Sequence, residues 1–112
     1  MKQKIYIAGK VTGLKTKAVT EKFLTTEIAV IAAGFEAVNP ISVVNNPKAE
    51  WNNAMKLCIN ALMDCDAVLA MPCYKDSRGA KAEVWLSLNL SIPVFFELEA
   101  LEQWSNSRQP TQ

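Results

Sequence analysis

Asp66-Ala67-Val68-Leu69-Ala70-Met71 carries no polar residue after its first position. A strand of this kind is buried on both faces, as in a parallel sheet held between two helical layers. Working outward, Trp51, Met55, Cys58, Ile59 and Leu62 form one apolar stripe on a helix spanning Ala49 to Met63. Downstream, Pro72–Asp76 is a loop, Ser77–Leu90 a third helix and Ile92–Phe96 a fourth strand. Upstream, Lys4–Ala8 is a first strand ending at Gly9. Val19, Phe23, Val30 and Ile31 then mark a helix over about residues 17–33 that Gly34 closes, and Phe35–Val38 is a second strand. Ile41–Lys48 reads as a loop, Glu97–Trp104 as a short final helix and residues 105–112 as a frayed tail.

Strands alternating with helices are βαβ units. The expected fold is therefore α/β, a three-layer α/β/α Rossmann- or flavodoxin-like domain over residues 1–104 with a four-stranded, mostly parallel sheet. Ligands of such sheets bind beyond the carboxyl ends of the strands. That rule gathers three loops into one place: Gly9–Gly13, Asn39–Asn46 and Pro72–Gly79.

Twelve basic and eleven acidic residues leave a net charge of +1, and half of the 112 residues are hydrophobic. The balance argues against a nucleic-acid partner, which calls for a basic face or stripe. No apolar run reaches membrane-spanning length, and the run in Met1–Gly9 is too short for a signal peptide. Cys58, Cys65 and Cys73, with no histidine in the chain, do not make a zinc site of the common spacing. They read as reduced thiols of a soluble cytoplasmic protein with no metal and no cofactor. The third helix is apolar nearly all round, with Ala80, Val84 and Leu88 towards the sheet and Trp85, Leu86 and Leu90 on other sides. Such a helix is buried, so a homo-oligomer is expected; the alternative is that Trp85 packs on its own C-terminal segment.

Two segments carry candidate chemistry. Gly9 and Gly13 match neither a dinucleotide fingerprint nor a Walker loop. They serve either as an ordinary strand-to-helix turn or as a backbone cradle for an anion, helped by Lys10 and Thr12. In Ser77-Arg78-Gly79-Ala80-Lys81-Ala82-Glu83, Ser77 is a helix N-cap, and a helix start is also a ready anion site. Helical side chains lean towards the N-terminus, which directs the Glu83 carboxylate back at that site. A solvated glutamate is the plainer alternative.

Ile5-Tyr6-Ile7-Ala8-Gly9, Asn39-Pro40, Cys65-Asp66-Ala67-Val68 and Ser77-x-Gly79-Ala80-x-x-Glu83 occur in this order across about residues 4–96. In these motifs the chain resembles the nucleoside 2-deoxyribosyltransferase superfamily, in particular its small phage and bacterial branch. The resemblance implies an N-glycosidase or deoxyribosyl-transfer enzyme acting on a small-molecule nucleotide or nucleoside. Glu83 would be the nucleophile at C1′ of a deoxyribose and Tyr6 would line the sugar site. The transferases have an aspartate at the position of Ser77, whereas the related 2′-deoxynucleoside 5′-phosphate N-hydrolases have a phosphate-binding serine. Gly9, Lys10 and Thr12 match those hydrolases' other phosphate loop, and Gly79 belongs to the same site. The likeness thus leans towards a nucleotide. Relatives carry an acid eight residues before the strand-opening aspartate, where this chain has Cys58. Asp76 is the candidate replacement acid; without one, the alternative is a nucleotide-binding protein that does not turn over. Gly79-Ala80-x-x-Glu83 also echoes the phosphoribohydrolase loop, but the double glycine preceding it is missing.

Overall fold

The computed structural model describes residues 2–11 and 13–108. Its core is a four-stranded, all-parallel sheet in the order β2-β1-β3-β4, formed by β1 (Lys4–Ala8), β2 (Glu36–Val38), β3 (Ala67–Ala70) and β4 (Val94–Phe95). Tyr6 pairs with Val38 on one side and Val68 on the other. Among the described residues five α-helices surround the sheet: α1 (Thr16–Ala32), α2 (Pro40–Val44), α3 (Trp51–Met63), α4 (Arg78–Asn89) and α5 (Leu98–Ser107).

The pleat of each strand divides its side chains between two cores. Ile5, Ala67 and Leu69 pack with Val30 of α1 and Leu101 of α5, while Ile7 meets Val19 and Phe23 of α1. On the opposite face Tyr6, Ala8, Val68 and Ala70 pack with Cys58 and Leu62 of α3 and Ala80 and Val84 of α4. The three-layer α/β/α fold follows. β1 and β3 are fully covered, as their apolar sequences require.

Local sequence explains where the helices end. α1 closes in a Schellman motif: the Gly34 N–H donates to the Ile31 carbonyl and the Phe35 N–H to that of Val30. Gly34 has φ +99°, which glycine adopts without strain. Asp66 precedes β3 and ties it to β1 by accepting the Lys4 main-chain N–H at 2.8 Å.

Several expectations need correction. Residues 40–44 are helical, not loop: Asn39 caps Ile41 N–H with its side-chain oxygen and Pro40 sits at the first helical position. The final helix runs on to Ser107, because Ser105 is buried and its hydroxyl donates to Gln3 Oε1 at 2.7 Å, so residues 105–107 are not part of a tail. On α4 the sheet-facing set is Ala80, Val84 and Ser87, whereas Leu88 and Trp85 are both more than half exposed. Trp85 is therefore left largely uncovered by the described part of the C-terminal segment. Ile31 is likewise on the outer side of α1.

Candidate functional site

The chain leaves β1 for α1 on one face of the sheet, then crosses from β2 to β3 with α3 on the other. The strand order reverses between β1 and β3, which is where open α/β sheets leave a crevice at their carboxyl ends. A cleft of about 690 Å³ lies there. Gly9, Val11 and Leu14 after β1, Pro40, Asn45 and Asn46 after β2, and Ser77 and Gly79 after β3 all line it, so the three loops converge.

Tyr6 and Glu83 form its floor. Tyr6 is fully buried on β1 and Glu83, on α4, is only 5% exposed. The Tyr6 hydroxyl donates to Glu83 Oε2 at 2.6 Å. Among the described residues no buried polar side-chain atom lacks a partner. Glu83 Oε1 has no hydrogen-bond partner among them, so it borders the cleft. Ser87 holds the main chain here, its hydroxyl donating to the Glu83 carbonyl at 2.7 Å.

Burial sets the protonation of this group. Loss of water around Glu83 raises its pKa to about 7, against the opposing pull of the Tyr6 hydrogen bond. The Tyr6 phenol is driven far above its usual range, first by burial and then by the neighbouring Glu83 and Cys58 charges. Cys58 sits beside the Tyr6 hydroxyl. Burial raises its pKa, the adjacent Tyr6 hydroxyl opposes the rise and the Glu83 charge adds to it. Glu83 thus changes charge near neutrality, while Tyr6 and Cys58 keep their protons.

The cleft gathers Tyr6, Gly9, Cys58, Ser77, Gly79 and Glu83 from the candidates read in the sequence. Ser77 caps α4, accepting the Ala80 N–H at 3.1 Å; its own hydroxyl proton stays available to a ligand. Gly79 allows α4 to approach α3, since a Cβ there would lie 2.9 Å from Met55 Sδ. Gly9 has a similar packing reason, because a Cβ would collide with Met71 Cε. Lys10 is not among the lining residues: its N–H donates to Cys73 Sγ and its carbonyl accepts from Lys22. Asp76 is exposed at the end of the 3-10 turn Pro72–Asp76 and does not line the cleft either. Thr12 lies outside the described residues.

Sequence reading did not assign Trp51 and Met55 to the site; it placed them only in the core stripe of α3. Both are half-buried and line the cleft, with Ile41 and Val44 across from them. Trp51 is fixed from outside by the Arg78 guanidinium, 4.1 Å from its ring centroid. Among the described residues no lysine or arginine lines the cleft, and Glu83 is its sole carboxyl group. No three His, Cys, Asp or Glu side chains among them group to hold a metal ion.

Residues 3–96 match the family described as a domain of unknown function (DUF4406), and the chain belongs to that family. No curated protein and no solved structure matches the chain significantly.

Proposed function

We propose that this DUF4406 protein binds a 2′-deoxynucleoside or its 5′-monophosphate in the cleft and breaks the base–sugar bond through Glu83. The observation that carries the reading is the Tyr6–Glu83 hydrogen bond at the cleft floor, with Oε1 open to a ligand. Tyr6 holds Oε2, so Oε1 is the oxygen available to attack C1′. The bond to C1′ forms as the base leaves with the glycosidic electron pair and takes up a proton. Attack on the glycosyl ester by water completes a hydrolysis; attack by a second base completes a transfer. The apolar walls at Ile41, Val44, Met55 and Trp51 suit a flat base. The scarcity of cations in the cleft favours the uncharged nucleoside over the nucleotide, with Ser77 as the donor nearest an attached phosphate.

The lone carboxyl group supports a second reading, binding without turnover. General acid help is commonly worth about 10²–10⁴ in rate, and the protonated Cys58 thiol stands where an acid is expected. Three free thiols support a reducing compartment such as the cytoplasm. No helix among the described residues is long and apolar enough to cross a membrane. Trp85, Leu88 and Leu90, all exposed on and beside α4, support self-association, which sedimentation velocity reads directly.

A panel of 2′-deoxynucleosides and their monophosphates, assayed by chromatography for free base, separates the two readings. Catalysis predicts release that Glu83→Ala abolishes. Binding alone predicts a rise in Tm with the ligand and no release. Neither effect at millimolar ligand refutes both.

A further inference from the structure

Outside the cleft floor, the chain assembles a second reactive cluster behind Gly9. Cys73 lies in the 3-10 turn after β3, and its sulfur receives two N–H donors from distant parts of the chain. The Lys22 ammonium on α1 stands 3.1 Å away and the Lys10 main-chain N–H 3.3 Å away. Lys22 also donates to the Lys10 carbonyl at 3.0 Å, which fixes its amine against the sulfur. Cys73 and Lys22 are both partly accessible, whereas Cys58 and Cys65 are buried.

We propose that Cys73 and Lys22 are a redox-modification site at which a peroxide converts the pair into a covalent sulfur–nitrogen cross-link. First, the Cys73 thiolate attacks the peroxide, an S–O bond forms, the O–O bond breaks and hydroxide leaves. Sulfur is oxidised by two electrons to the sulfenic acid and the peroxide is reduced. The hydroxide takes a proton from the Lys22 ammonium to give water and a free amine. The amine nitrogen then attacks the sulfenic sulfur, the S–N bond forms, the S–O bond breaks and a second water leaves. The cluster meets the requirements of each step: a nearby cation and amide to favour thiolate, access for the oxidant and an amine in van der Waals contact with the sulfur. Partial burial alone would raise the Cys73 pKa, but the Lys10 N–H and the Lys22 ammonium outweigh it and the net shift is downward. Cys65 differs, with burial pushing its thiol up to about 12, and burial likewise raises that of Cys58. Oxidation is therefore selective for Cys73.

The cross-link joins α1 to the segment leading into α4 and lies directly beneath Gly9, whose Cβ position would be 3.4 Å from Cys73 Sγ. It would stiffen one wall of the cleft, and it does not depend on what the cleft binds.

Treating the purified protein with a small excess of hydrogen peroxide, followed by intact mass and peptide mapping, tests the proposal. Expected is a species lacking two hydrogens, in which the peptides containing Lys22 and Cys73 are joined and dithiothreitol restores the starting mass. Lys22→Arg should abolish the link and leave a sulfenic acid at Cys73 that dimedone traps. Cys58→Ser and Cys65→Ser should retain the link, which separates it from a disulfide of the same mass. Oxygen additions at Cys73 with Lys22 unmodified, prior oxidation of Cys58 or Cys65, or a mass loss that maps to a disulfide would each overturn the proposal.

Discussion

Replacing Tyr6 by phenylalanine removes one oxygen from a fully enclosed position and deletes the hydrogen bond to Glu83 Oε2. A hydrogen bond to a charged group contributes about 1.5–3 kcal/mol. It favours the carboxylate, and one pKa unit corresponds to about 1.4 kcal/mol, so its loss moves the Glu83 pKa up by roughly 1–2 units. Starting from about 7, the group should titrate at roughly pH 8–9 in Tyr6→Phe. At pH 7 the carboxylate fraction would fall from about one half to between about one tenth and one hundredth. A nucleophile that must be ionised loses rate in that proportion, and the pH–rate profile moves to the alkaline side. The assay is a carbon-13 NMR titration of glutamate carboxyl groups, with the Glu83 signal assigned by its absence from Glu83→Gln. A Glu83 midpoint that stays put or falls in Tyr6→Phe would refute the claim that this phenol stabilises the charged form.

Other consequences follow from the same geometry. The folded pKa of Glu83, about 7, lies above the ordinary 4.5, so this group's stabilisation is fully present below about pH 4.5 and is lost as pH rises through 7. The loss amounts to roughly 3 kcal/mol; Glu83→Gln should gain about that much relative to wild type between pH 4.5 and 8 in urea denaturation, and parallel pH profiles would contradict it. Ser77→Ala removes the α4 cap and should cost about 1 kcal/mol of stability in the same measurement, even without ligand. Cys58→Asp places a carboxyl group beside Tyr6 and Glu83; if the missing acid limits turnover, base release should rise about 10²–10⁴-fold, whereas an unchanged rate would show that Cys58 does not occupy the position of an acid.

The central strands were legible because Ile5-Tyr6-Ile7-Ala8 and Ala67-Val68-Leu69-Ala70 are unbroken apolar runs with no polar position to accommodate at a surface. α2 was hidden although its start signals, Asn39 and Pro40, were in plain view: Ile41, Val43 and Val44 are β-branched, and five residues are too few to show helical spacing. β4 spans two residues rather than five because Ile92 and Pro93 lead into it and Phe96 already bends towards α5. Leu88 continues the four-residue spacing of Ala80 and Val84, yet the packed positions of α4 run through Ala80, Glu83, Val84 and Ser87 and leave Leu88 outside. Helix direction placed Glu83 correctly beside the cleft. The orientations of Lys10 and Asp76 depend on loop hydrogen bonds and exposure, which residue spacing does not encode. Trp51 was visible only as part of an apolar stripe, since its role in the cleft needs α2 and α4 in place.

In the proposed reaction Glu83 attacks the sugar. Incubating the protein with a 2′-fluoro-arabinonucleoside, whose fluorine slows decay of a glycosyl ester, and mapping the product by mass spectrometry tests it most directly. One fluorosugar attached at Glu83, lost in Glu83→Gln and reduced in Tyr6→Phe, is the expected product. An adduct on another residue, free base released with Glu83 unmodified, or neither adduct nor free base would contradict it.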